Sequence, residues 1–158
     1  MQENDYSDME IAMAPSEQSF GLERHLHEFL RDNWELTELG QEWEIYSEPG
    51  DDIAGYEYPT DVGRIDILAR HKHRPEWLVI ELKRNQSTDQ TVGQVLRYMG
   101  WVSRNLAEKG ESVRGMIISR TVDKALLYAV EVVGNDRISV MQYEVQFRLK
   151  ETNLDQQG

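Results

Sequence analysis

Between Trp77 and Lys83 the chain reads Trp-Leu-Val-Ile-Glu-Leu-Lys, a strand-length run in which five apolar residues demand burial and two charged ones resist it. Side chains alternate along a strand, so Glu81 and Lys83 share a face with Trp77 and Val79. A fold built around this run must cover apolar side chains and still give an acid and an amine something to bind. The residues that follow meet the first need. Val92, Val95, Leu96, Met99, Val102 and Leu106 recur at helical spacing, with Asp89 as the expected cap and Gly110 as the stop. Val113–Ile118 then reads as a second buried strand.

Upstream, Leu22, Leu26, Phe29 and Leu30 mark one face of a helix over Phe20–Trp34, with Ser19 as its cap. Trp43 and Ile45 alternate with Glu42 and Glu44 as a strand, whereas residues 49–60, with two prolines and two glycines, read as a loop. Gly63–Ala69 alternates as another strand, joined to 77–83 by the polar connection Arg70–Pro75, which suits a hairpin. Downstream, Asp123–Val133 reads as a helix closed by Gly134, followed by short strands over Arg137–Tyr143 and Glu144–Leu149. This order predicts an α/β domain with a central mixed sheet flanked by helices. The domain is expected to span residues 19–150, between a flexible acidic arm (1–18) and a polar tail (151–158).

Charge is unevenly placed. Residues 1–60 hold 16 acidic and two basic side chains, and residues 61–158 hold 13 acidic and 15 basic, within a total of −12. A net charge of −12 argues against a polyanion partner. The stretch from Arg64 to Arg104, with eight basic and four acidic residues, weakens that objection without removing it, and the acidic half serves equally well simply to support solubility. The longest apolar run, Ala125–Val130, is six residues, against ~20 for a bilayer-spanning helix, and no cysteine is present for disulfides, thiolate metal sites or thiol nucleophiles. The expectation is a cytoplasmic protein with no membrane partner.

An antiparallel hairpin would bring Asp66 toward the face that carries Glu81 and Lys83. Two carboxylates beside a lysine fit a compact site for a hard divalent cation such as Mg²⁺. They also fit a simple Glu81–Lys83 ion pair at a sheet edge, with Asp66 capping a turn. Gln94 and Tyr98 are four residues apart on the following helix, and Arg97 adjoins them, a set able to hold a phosphodiester. A tyrosine in that position also serves simply as a core-boundary residue.

Asp66, followed after fourteen residues by Glu81-Leu-Lys83, resembles the PD-(D/E)XK nuclease signature, and Gln94-Val-Leu-Arg-Tyr98 is similar to the QxxxY motif of its RecB-like branch. Taken with Val62–Ala69 and Val79–Arg84, these motifs resemble the catalytic domain of NucS-type endonucleases from about Leu22 to about Val133. The resemblance implies a restriction-endonuclease-like core and metal-dependent endonucleolytic hydrolysis of DNA. It implies Asp66, Glu81 and the Leu82 carbonyl as ligands of Mg²⁺ or Mn²⁺. Lys83 would orient or activate the attacking water, and Glu23 would be an added acid beside the site. Gln94 and Tyr98 would support the site or touch the nucleic acid, with Arg64, Arg84 and Arg97 in the basic stretch that would meet DNA, whether single-stranded, branched or duplex. DNA repair is one expected setting. Full-length NucS-type proteins carry a separate N-terminal domain, so substrate preferences that depend on it are not expected to transfer. Two other readings remain open from the residues: a non-catalytic nucleic-acid-binding scaffold, and a ribonuclease or partner-activated nuclease. A homodimer paired through the terminal strand at Glu144–Leu149 is a further expectation.

Overall fold

The computed structural model describes residues 25–83, 88–144 and 149–156. Residues 25–33 are helical (α1) and run into a 3₁₀ turn, Trp34–Leu36, and a short helix α2, Glu38–Glu42. The beginning of the helix expected from Phe20 lies outside the described residues. Six strands follow in one mixed sheet: β1 (Trp43–Ile45), β2 (Tyr56–Thr60), β3 (Gly63–His71), β4 (Glu76–Lys83), β5 (Ser112–Ser119) and β6 (Ile138–Gln142). Helix α3 (Asp89–Asn105) connects β4 to β5, and α4 (Lys124–Val133) connects β5 to β6. The strand order is β1-β3-β4-β5-β6, with β2 also on β3. β1 pairs with the second half of β3 and β2 with the first half, both antiparallel. β3 and β4 form the expected antiparallel hairpin, while the two helical crossovers make β4–β5 and β5–β6 parallel.

The central position of β4 follows from its composition. Trp77 through Leu82 are all buried, and the alternation sends them into two separate layers. Leu78, Ile80 and Leu82 join Ile67, Ala69 and Ile118 under Leu30, Trp34 and Trp43. Trp77 and Val79 pack instead with Tyr98 and Val102 of α3, and Leu126 and Val130 of α4 join Val92, Val95, Ile117 and Ile138 in the same helical layer. Each such aliphatic side chain, fully buried, contributes about 1.5–3 kcal/mol. At Gly115 α3 packs close on the sheet, since a Cβ there would run into Val95 and Met99.

Some boundaries differ from expectation, each for a visible reason. Residues 56–60 form an edge strand rather than loop. Pro59 is tolerated there because its missing N–H lies on an edge, and Tyr56 and Tyr58 are half-buried. Asp89 is the first helical residue, not the cap. Thr88 holds the cap position without a side-chain bond, and the acid sits at the positive end of the helix instead. That helix stops at Asn105, where the Leu106 N–H still bonds to the Val102 carbonyl, so Gly110 belongs to the turn beyond. Asp123 and Gly134 do cap α4, the Asp123 carboxylate accepting from Leu126 N. The strand expected over Glu144–Leu149 falls largely on residues 145–148, outside the described set. Among the described residues no helix is long and apolar enough to cross a membrane.

Candidate active site

The ladder between β3 and β4 runs from Arg70↔Trp77 to Ile67↔Ile80. One further step in the same register sets Asp66 against Glu81. At that step the bond pattern changes: the Leu82 N–H donates to Asp66 Oδ2 at 2.8 Å, so a carboxylate takes the place of a strand carbonyl. The cause is a roll of β3 about Asp66. Ile65 and Ile67 have the same parity, yet Ile65 packs in the α3 layer and Ile67 in the α1 layer. Tyr56 and Tyr58 of β2 divide between the layers in the same way. Between them stands Glu57, whose φ of 51° is the left-handed value a non-glycine residue seldom adopts. The local roll thus brings the Asp66 carboxylate to the Leu82 N–H near the end of β4.

Glu81 is only 4% exposed. Its Oε1 lies 3.4 Å from Lys83 Nζ, and its Oε2 is buried with no hydrogen-bond donor among the described residues. Burial first, and the neighbouring Asp66 carboxylate second, push its pKa up to about 8, while Lys83 pulls it back. Lys83 is held from the far side, its Nζ donating to Gln94 Oε1 at 3.1 Å. One turn on, Tyr98 is buried against Gly63, where a Cβ would strike its hydroxyl and ring and where φ is +130°. The first residue of β3 must therefore be glycine for the tyrosine to seat there, three positions before Asp66.

Of the residues the sequence nominated, Asp66, Glu81, Lys83 and Gln94 form one linked cluster, whereas Tyr98 packs in the neighbouring core layer with Ile65, Trp77 and Val79. Arg97 is exposed with its guanidinium 5.3 Å from the Tyr98 ring centroid. Arg64 is exposed and within 3.8 Å of Glu57, on the flank. Glu23 and Arg84 lie outside the described residues. Three contributors carried weak sequence signals: Gly63, the Leu82 N–H and Glu57. Only Gly63, a glycine opening an apolar strand, could have been flagged.

The donor set suits a hard divalent cation. A buried carboxylate oxygen without a donor, beside a second carboxylate, asks for positive charge. Among the described residues no group of three or more His, Asp or Glu side chains gathers at one point; Asp66 and Glu81 are the two carboxylates that lie close enough to interact here. At the opposite end of the hairpin a separate network ties the sheet: Arg70 stacks on Trp77 at 4.4 Å and pairs with Glu111, which also accepts from Trp77 Nε1.

Residues 22–152 match the family described as the endonuclease NucS C-terminal domain. The chain is 31% identical over 98 residues to Endonuclease NucS of Corynebacterium aurimucosum, covering 62% of this chain and 37% of that protein. It is 33% identical over 99 residues to Endonuclease NucS of Streptomyces griseus, covering 63% and 39%. Among solved structures, an EndoMS–dsDNA complex superposes with a TM-score of 0.55 at 19% identity, over 89% of this chain and 49% of that one. A repair endonuclease from Pyrococcus abyssi gives 0.50 at 16% identity, over 87% and 50%. The chain thus spans half or less of the length of these relatives, and the structural likeness bears on the fold, which is α/β and restriction-endonuclease-like. By its family match over most of its length, the chain belongs to the endonuclease NucS C-terminal domain family.

Proposed function

We propose that this domain is an endodeoxyribonuclease that hydrolyses phosphodiester bonds with Mg²⁺ or Mn²⁺. The observation that carries the reading is the pairing of two carboxylates, Glu81 buried beside Asp66 with no donor to its Oε2 among the described residues, while Lys83 is held by Gln94. Asp66, Glu81 and the Leu82 carbonyl would hold the ion, with Glu23 as an added acid. When bound, such an ion supplies positive charge at the scissile phosphate and acidifies water. The residues do the rest. The Lys83 ammonium favours hydroxide over water near it and steadies the charge that develops on the phosphate oxygens. Gln94 keeps that ammonium from swinging away. Asp66 fixes the Leu82 peptide through its N–H, and Tyr98 seats the strand that carries Asp66. Arg64, Arg84 and Arg97 supply contacts to the sugar–phosphate backbone, which orient a strand without reading its sequence. DNA, as named for the EndoMS–dsDNA complex, is the substrate carried over to this chain.

The test is cleavage of labelled single-stranded, duplex and flapped DNA, and of RNA, in Mg²⁺, Mn²⁺ or EDTA. DNA should be cut with metal and left intact in EDTA. Asp66→Ala and Glu81→Ala should each lose about 10⁴-fold in rate, equivalent to about 5.5 kcal/mol, with the fold retained by circular dichroism. Wild-type cutting by either variant, or equal cutting in EDTA, overturns the mechanism. Cutting of RNA alone replaces the substrate, and metal-independent binding without cutting replaces the enzyme with a scaffold.

A further inference from the structure

Helix α4 is apolar on both faces. Leu126 and Val130 fill the core, as an amphipathic crossover requires, yet on the solvent side Leu127, Tyr128 and Val132 are 50%, 66% and 89% exposed. Helices apolar all round are ordinarily covered all round. Lys124 and Glu131 lie on the same outer face, seven residues or about 10 Å apart along the axis. Their arrangement is reversed with respect to the helix dipole. The cation stands at the positive end and the anion in the last turn, where each is disfavoured by the helix it belongs to.

An antiparallel neighbour of identical sequence corrects both faults at once. A two-fold axis between Leu127 and Tyr128 sets Lys124 against Glu131 of the partner subunit, and Glu131 against the partner's Lys124. The same axis stacks Leu127 on the partner's Tyr128, and each charge then faces the favourable end of the other helix. We propose that the outer face of α4 is the contact surface for a second copy of this chain, paired antiparallel about Leu127–Tyr128. The face is small, so the association is weak and concentration-dependent. It is independent of the chemistry at Glu81, and a dimer formed through it would carry two cutting sites in one particle.

Sedimentation of the full chain from ~1 µM to ~1 mM tests this directly. A monomer–dimer equilibrium is expected. Lys124→Glu and Glu131→Lys should each weaken it at least ~10-fold by setting like charges opposite each other. The double variant K124E/E131K should restore it, and an equimolar mixture of the two single variants should form a heterodimer tighter than either alone. Tyr128→Asp, at an exposed position, should abolish dimerisation without altering the circular dichroism spectrum. A monomer throughout the range overturns the proposal, as does a dimer indifferent to these charges or not rescued by their exchange. A monomer whose α4 amides are protected until residues 1–24 are removed would also overturn it, and would identify the chain's own N-terminal segment as the cover instead.

Discussion

Glu81 is an acid that the folded chain keeps from ionising until about pH 8. In the unfolded chain the same group titrates near its ordinary value of 4.5. The native state therefore binds the extra proton between those values, so stability from this group is present below about pH 4.5 and lost as pH rises through about 8. The loss is about 1.4 kcal/mol for each pH decade crossed. Thermal melts in EDTA should fall from pH 5 to pH 8.5 in the native chain, and Glu81→Gln should remove that component of the slope. A cation reverses the sign, because it competes with the proton for the same oxygens. Mg²⁺ should raise the Tm more at pH 8 than at pH 6, and Glu81→Gln should show no such rise. Equal Mg²⁺ shifts at both pH values, or in both proteins, would separate Glu81 from metal binding.

The unit that aims these groups is the roll shared by β2 and β3, and it depends on two backbone positions. Glu57 holds a left-handed φ of 51° at an exposed site. A residue with a Cβ is strained there by about 1–2 kcal/mol, so Glu57→Gly should stabilise the fold by a good part of that in chemical denaturation. Gly63→Ala should do the opposite, losing about 2–3 kcal/mol because the new methyl meets Tyr98 at a positive φ. Tyr98→Phe in the same chain should recover part of the loss. The roll also explains what could be read from residues alone. The β4 run, the α3 stripe and the α4 caps are periodic signals, and each specifies its element. Asp66, Glu81, Lys83 and Gln94 were legible because charge in an apolar run and i, i+4 spacing are local facts. β2 was not, since Gly55 and Pro59 are ordinary loop residues, and only the half-buried tyrosines facing β3 override them. Nor was the Leu82 N–H bond to Asp66, which exists only once the strands have parted in three dimensions.

Across the whole chain the site lies in the part that is nearly charge-balanced, while most of the negative charge precedes β2. Residues 1–18 alone carry Glu3, Asp5, Asp8, Glu10 and Glu17 with no basic residue. Whatever their arrangement, five tethered anions lower the local concentration of a polyanion, and the effect weakens as the Debye length shrinks to about 10 Å at 0.1 M salt and 3 Å at 1 M. Neutralising the five to Gln or Asn changes the net charge from −12 to −7 without changing any residue of a strand. Binding of a labelled duplex to the Glu81→Gln protein, which isolates association from cutting, should tighten several-fold at 50 mM salt when the five are neutralised. The two affinities should converge above about 0.5 M, where only short-range interactions survive. If Arg64, Arg84 and Arg97 contact the sugar–phosphate backbone as proposed, removing them should instead flatten the salt dependence, by close to one in the log–log slope for each phosphate that is no longer neutralised. A difference that persists unchanged at 1 M salt would mean that the acidic residues touch the DNA-binding surface itself rather than repel DNA through solvent.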